Sequence, residues 1–185
     1  MDSVTTSLEE QKRAFTHRRL IATPLAGMIA WFVTGLAGLF LSPFVTVWVL
    51  FIATGSIAYL GIFLSRFTGE NFLAKDRPAN TFDRLFFLTV GQSILTYAIA
   101  IPFFLVDYTS LPLTVGILTG TMWLPLSWII DHWVGLFHGI VRTLLVVLLW
   151  YLLPEWRFVA IPFAIVGVYL VTIIALERRG VSPTV

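Results

Sequence analysis

The sequence predicts an all-α fold, a polytopic transmembrane helix bundle of six spans, and three observations carry that prediction. First, 58% of the 185 residues are hydrophobic and only 12% are charged, about half the roughly 25% of an ordinary soluble domain. A soluble core of this length cannot absorb that much apolar surface. Second, windows of about twenty apolar residues, the length needed to cross a bilayer, recur six times. Third, the cationic residues fall almost entirely between alternate windows.

The six windows are Leu20–Leu41, Pro43–Ser65, Leu85–Val106, Leu111–Ile130, Trp133–Leu153 and Phe158–Leu176. The first exceeds a signal-peptide core of about 7–15 residues, so it reads as an uncleaved span. Pro43 and Pro112 stand in first turns, where a missing N–H costs nothing, and Pro154 closes the fifth window. Gly69, Pro78 and Asn80 mark the one long connection, from Arg66 to Arg84. Between the fourth and fifth spans only Asp131 and His132 offer a polar turn. Trp123, Trp128 and Trp133 suit an interfacial belt there. Pro125 predicts a kink in the fourth helix, with a re-entrant segment as the alternative. The AIPF repeat at Ala100–Phe103 and Ala160–Phe163 is out of register for an inverted repeat and carries no weight.

With six spans, Lys12, Arg13, Arg18, Arg19, Arg66, Lys75, Arg77, Arg84, Arg178 and Arg179 share one side, and only Arg157 lies opposite. The positive-inside rule then puts both termini in the cytoplasm. The expected organisation is a cytoplasmic segment 1–19, a transmembrane domain 20–176 with a cytoplasmic loop 66–84, and a cytoplasmic tail 177–185.

Arg142 is the residue that composition does not explain. It lies mid-span, about 15 Å deep by helical rise, with no carboxylate within ten residues on either side. A guanidinium stays protonated, and its insertion into hydrocarbon costs about 3 kcal/mol. His138, four residues earlier, shares its helical face. If helix continues through Asp131, Gly135 and Asp131 extend that stripe to the cytoplasmic surface. Span three offers Gln92, Thr96 and Tyr97 (with Ser93) at matching depth, and none of the neighbours is acidic.

Two readings of this polar centre stay open. In the functional one, Arg142 receives an anionic solute or lipid phosphate, His138 is a second donor or proton acceptor, and Gln92, Thr96 and Tyr97 orient the ligand. In the structural one, Pro125 orphans the Thr121 carbonyl and Arg142 satisfies it, tying spans four and five together. Two GxxxG pairs, Gly116 with Gly120 and Gly135 with Gly139, fit close helix packing or a homo-oligomer. They sit at different depths, so they are expected to admit other helices rather than each other.

Several chemistries drop out. With no Cys, disulfides, thiolate nucleophiles and Cys-ligated metals are excluded. The three His show no metal-ligand spacing. Loop 66–84 holds no phosphate-binding or hydrolase signature and reads as a solvated linker near headgroups. No cofactor, catalytic residue or nucleic-acid partner is expected. The favoured reading is a small permease or binding protein for an anionic or amphiphilic solute. The alternatives are a structural or regulatory membrane subunit, and a membrane-embedded lipid-modifying enzyme with Asp131 and His132 as its candidates.

Between Trp123 and Ile173, the segments WLPLSW, HGIVRT, WYLLPEWRF and VYLVTI resemble a small family of bacterial inner-membrane proteins of unknown function. The resemblance implies a multi-pass protein of the cell inner membrane without an assigned activity, and it carries no site residues.

Overall fold

The computed structural model describes residues 7–73 and 80–179, so Lys75, Arg77 and Pro78 of the long connection lie outside the described residues. Among the described residues the fold is all-helical. A short helix α1 (Leu8–Thr16) precedes α2 (Ala22–Phe40), α3 (Pro43–Gly55) and α4 (Ile57–Ser65). Then come α5 (Thr81–Leu95), α6 (Tyr97–Val106), α7 (Leu111–Leu118), α8 (Trp123–Ile129), α9 (Val134–Leu152) and α10 (Arg157–Glu177). Short 3₁₀ turns at Tyr108–Ser110 and Pro154–Trp156 join α6 to α7 and α9 to α10.

Five helical stretches are long and apolar enough to cross a membrane: Ala22–Phe40, Thr81–Val106, Tyr108–Ile129, Val134–Leu152 and Pro154–Glu177. A sixth follows if α3 and α4, bent by 45° between them, count as one span. These apolar helices mark a membrane-spanning protein. Helix α10 is the centre of the bundle, packed on one side against α2 and on the other against α9 and α7. Its inward stripe of Ile161, Ile165, Val168, Tyr169 and Thr172 is buried, the helical periodicity of a core-facing element.

The second, third and fourth windows are each two helices rather than one. Breaks fall at Ser56, at Thr96 and at residues 119–122. Each leaves carbonyls without their helical donors, a cost that lipid cannot relieve. Local hydroxyls take that load: Ser56 donates to the Ala53 carbonyl at 2.8 Å, Thr96 to Ser93 at 2.7 Å and Thr121 to Leu118 at 2.7 Å. Pro125 does not cause the fourth break. It stands in the first turn of α8, where it starts a helix without losing a bond.

From Ser7 onward the amino-terminal segment is structured, not merely polar. Ser7 and Glu10 form a reciprocal capping box at the start of α1, a serine-x-x-glutamate signal legible in the sequence. Phe15 from this helix is buried against Phe82 and Phe86 of α5. Arg18 pairs with Asp83, Arg19 with Glu177 at 2.5 Å, and Asn80 donates to the Gln11 carbonyl at 2.8 Å. Thus the amino-terminal segment, the end of the long connection and the carboxy-terminal end of α10 meet at one end of the bundle. At the opposite end Arg157 stacks over Trp150, 3.5 Å from the ring centre.

Glu70 departs from the solvated-linker expectation. It is buried, and its Oε1 accepts from the backbone N–H groups of Ile21 and Ala22 at 2.8 Å each. Both are donors at the start of α2, which no residue of that helix can satisfy. The carboxylate therefore caps a membrane helix from the neighbouring connection.

Candidate functional site

The centre of the bundle is built around the break between α7 and α8. In a continuous helix the Gly116 carbonyl would accept from the N–H of Gly120. Here Gly120 tightens its turn and donates to Ile117 at 2.9 Å, so the Gly116 carbonyl loses its partner. Arg142 Nε supplies the replacement at 2.7 Å. The Thr121 carbonyl, expected to be the orphan, accepts from Leu124 at 3.1 Å. The helix-tying role thus exists, one turn earlier than Pro125 suggested.

Arg142 and His138 are both fully enclosed, each 0% exposed. Arg142 Nη2 donates to the Thr119 hydroxyl at 2.7 Å, and Nη1 faces Tyr169 Oη at 3.3 Å and His138 Nε2 at 3.4 Å. The guanidinium also lies over the rings of Trp31 and Tyr169, at 5.2 and 5.6 Å, where the aromatic faces attract a cation. Every partner is neutral; no carboxylate among the described residues pairs with it.

The tautomer of His138 follows from its other neighbour. The Thr172 hydroxyl gives its one proton to the Val168 carbonyl at 2.8 Å. It therefore accepts from His138 Nδ1, 2.9 Å away, which leaves Nε2 as a lone pair facing the guanidinium. The imidazole is clamped by Trp123, stacked at 4.2 Å, and by the edge-on ring of Tyr169 at 4.5 Å. Gly27 makes room for Tyr169: a Cβ there would sit 2.4 Å from its Oη.

Beside this centre lies a cavity of about 460 Å³. Residues from all three helix breaks line it: Thr54 and Gly55, Ser93 and Tyr97, Thr119 and Trp123. Its remaining wall is mainly apolar, with Phe51, Phe86, Val90 and Ile94. Thr119, Trp123 and Tyr169 belong to both structures: one side contacts Arg142 or His138, the other lines the cavity. Arg142 is not part of the lining. Tyr97 bonds to Thr54 across the cavity, with their hydroxyls 2.6 Å apart. Trp123 Nε1 is buried without an acceptor among the described residues.

The sequence-derived set therefore divides. Arg142 and His138 come together as expected. Tyr97 lines the adjacent cavity rather than touching them. Thr96 is buried, with its hydroxyl turned back on the Ser93 carbonyl at the break. Gln92 is exposed on the outer face of α5 and takes no part in the centre. The stripe through Asp131 is also interrupted. Asp131 has a left-handed backbone, φ +51°, and α9 starts only at Val134, so no helical face runs from the surface to Arg142. Thr119, Tyr169, Thr172, Trp31 and Trp123 were not singled out as one cluster. They come from α2, α8, α10 and the 119–122 break, and no spacing along the chain relates them.

The two glycine pairs meet each other after all. A Cβ on Gly120 would lie 3.1 Å from Arg142 Cδ, and one on Gly139 would lie 3.5 Å from the Gly120 carbonyl. Gly135 admits the backbone of α8, with Trp123 O only 2.5 Å from where its Cβ would be. All four are buried inside the subunit, because the 119–122 break shifts the depths assumed for a straight helix. Among the described residues no group of three metal-ligating side chains lies together. Asp131 is exposed at the α8–α9 turn, and His132 Nδ1 accepts from the Val134 N–H at 3.3 Å.

No curated protein and no solved structure matches the chain. One family model does, described as a family of unknown function, and it spans residues 9–179, far more than the stretch from Trp123 to Ile173 that carried the resemblance. The chain belongs to that family, DUF7010.

Proposed function

We propose that this protein is a membrane-embedded binding protein, or small permease, for a mainly apolar amphiphile held in the cavity beside Arg142. The observation that carries the proposal is the convergence of three helix breaks on one cavity. Discontinuous helices are costly in lipid, and where they occur they line a site rather than face hydrocarbon. Tyr97 gives its hydroxyl proton to Thr54, whose own proton goes to the Leu50 carbonyl, so the polar edge of the cavity offers lone pairs and suits one uncharged hydroxyl at the end of an apolar body.

The direct anion receptor is the weaker form of this reading. Arg142 is enclosed and already bonded to four neutral groups, so it acts by holding Thr119 and Tyr169 in the cavity wall. Entry is lateral. Exposed Tyr59 and Ile94, of α4 and α5, both line the cavity, and α4 and α5 scarcely touch. By the positive-inside rule the α1 end faces the cytoplasm, with six spans and both termini on that side.

Gly55 provides the test. It lines the cavity, and a Cβ there meets nothing within 4 Å, so Gly55→Phe starts its side chain in open space at the cavity wall. A panel of long-chain alcohols, esters and carboxylates is titrated against wild type and variant, with thermal stability as the readout. The expected result is that neutral amphiphiles raise the melting temperature of wild type and not of Gly55→Phe. Equal shifts in both proteins would sink the proposal. A second reading, a structural subunit, is favoured by the complete packing of Arg142; it predicts no shift with any compound.

A further inference from the structure

A second recess lies at the α1 end of the bundle, away from the central cavity, and its chemistry differs. It occupies about 380 Å³ and joins the α8–α9 turn to the end of α10. Its polar rim is His132, Arg178 and Arg179, and its floor is Val171, Ile174 and Ala175, with Trp133 at the edge.

Arg179 is held in place rather than free to sweep through solvent. Its Nη2 donates to the Arg18 carbonyl at 2.5 Å. Its Nε and Nη1 are enclosed by the protein and have no acceptor among the described residues, so Arg179 brings a fixed positive charge to the recess rather than those donors. The nearest carboxylate in sequence, Glu177, is engaged with Arg19. Asp131 lines a different recess, with Lys12 and Arg13. Because the Val134 N–H occupies His132 Nδ1, the neutral imidazole carries its proton on Nε2, a further donor. Exposed Arg178, the fixed charge of Arg179 and the His132 N–H converge on the recess with no carboxylate in its lining, a setting that suits a phosphate.

The apolar half of the recess decides what carries the phosphate. Trp133 is 55% exposed, and Val171 and Ile174 are 42% and 43% exposed, on outer faces of membrane helices. A tryptophan between an apolar strip and a pair of arginines is the arrangement of a membrane–water boundary. We infer that this recess binds the headgroup of an anionic phospholipid, with Arg178, Arg179 and His132 on the phosphate and an acyl chain along Val171 and Ile174.

The full-length protein in neutral detergent is titrated with phosphatidylglycerol, with phosphatidylcholine and with glycerol phosphate, and the single-lipid adduct is quantified by native mass spectrometry. Phosphatidylglycerol should bind in preference to phosphatidylcholine, and Arg178→Gln and Arg179→Gln should each lose about fivefold of that preference. Arg178 is exposed, so its variant folds even if the Arg18 contact makes Arg179→Gln fragile. Arg66→Gln, an exposed charge that does not line the recess, should change nothing. The inference is overturned if Arg178→Gln keeps the full preference or if Arg66→Gln loses as much. It also fails if glycerol phosphate displaces the lipid at equal concentration, which would make this a free-anion site.

Discussion

Arg142 Nε occupies the carbonyl of Gly116 at 2.7 Å, the acceptor that Gly120 gives up when it donates instead to Ile117. A buried charge and a broken helix thus offset each other's cost. The break needs a donor deep in the bundle, and the guanidinium needs neutral acceptors where there is no carboxylate. Thr119 Oγ1, Tyr169 Oη and His138 Nε2 complete the set.

Geometry, more than charge, should therefore govern substitutions at Arg142. Lysine keeps the charge but concentrates its donors on one nitrogen, which cannot reach Gly116 and Tyr169 together. Glutamine removes a burial cost of about 3 kcal/mol along with bonds that average about 0.6 kcal/mol each in membrane interiors, but it also leaves the buried Gly116 carbonyl without its donor, at about 1–3 kcal/mol. The expected order of stability is wild type, then Arg142→Gln within about 2 kcal/mol of it, then Arg142→Lys. Reversible unfolding in mixed micelles measures it. A lysine variant as stable as wild type would show that charge alone suffices.

Small residues on α9 should be intolerant in proportion to what they touch. Gly135→Ala puts a methyl 2.5 Å from the Trp123 carbonyl and 2.7 Å from Ser127 Cα, backbone that cannot turn aside. Gly139→Ala meets Leu124 Cδ2 at 2.8 Å, a side chain that can. Gly91 meets nothing within 4 Å. Gly135→Ala should cost about 2–3 kcal/mol, Gly139→Ala less, and Gly91→Ala should be neutral or slightly stabilising. Thermal unfolding of the three purified variants gives the order directly.

Glu70 should behave as a helix cap. Glu70→Ala leaves the Ile21 and Ala22 N–H groups without the Oε1 acceptor they share, at about 1–2 kcal/mol. Glu70→Gln keeps an acceptor oxygen but loses the charge at the start of α2, at up to about 1 kcal/mol. Hydrogen exchange at Ile21 and Ala22 should accelerate in the alanine variant before any other part of α2. Unchanged exchange there would refute the capping role.

Acid should weaken the protein through His132. Burial, and then the neighbouring Arg179, hold its imidazole below the ordinary value of 6.5. The unfolded chain therefore binds the proton more readily, so stability falls as pH drops through 6.5 and levels off below the folded-state value. Between about pH 7.5 and pH 5.5 in zwitterionic detergent, wild type should lose more melting temperature than His132→Gln. Equal losses would mean that His132 does not sense its surroundings in this way.

What the sequence determined by itself is the class of molecule and the oddity at its centre. Apolar windows long enough to cross a bilayer need no partner to be recognised, because the length of a helix in hydrocarbon is set by the bilayer. Arg142 announces itself for the same reason: an unpaired cation in such a window is costly wherever its neighbours lie. The pairing with His138 was legible too, since residues four apart share a helical face.

Only the tertiary structure decided where helices break and who answers the charge. A break that falls at Thr119–Met122 rather than at Pro125 changes the depth of every residue around it. That moved the orphaned carbonyl to Gly116, brought Gly120 against Gly139, and left Gln92 outside while Thr119, Tyr169 and Thr172 closed around Arg142 and His138. Glu70 looked like a loop charge because its partners, the first donors of α2, lie about fifty residues back in the chain. Acceptors, caps and cavity walls are contributed across helices, and sequence spacing carries information about neighbours only within one helix.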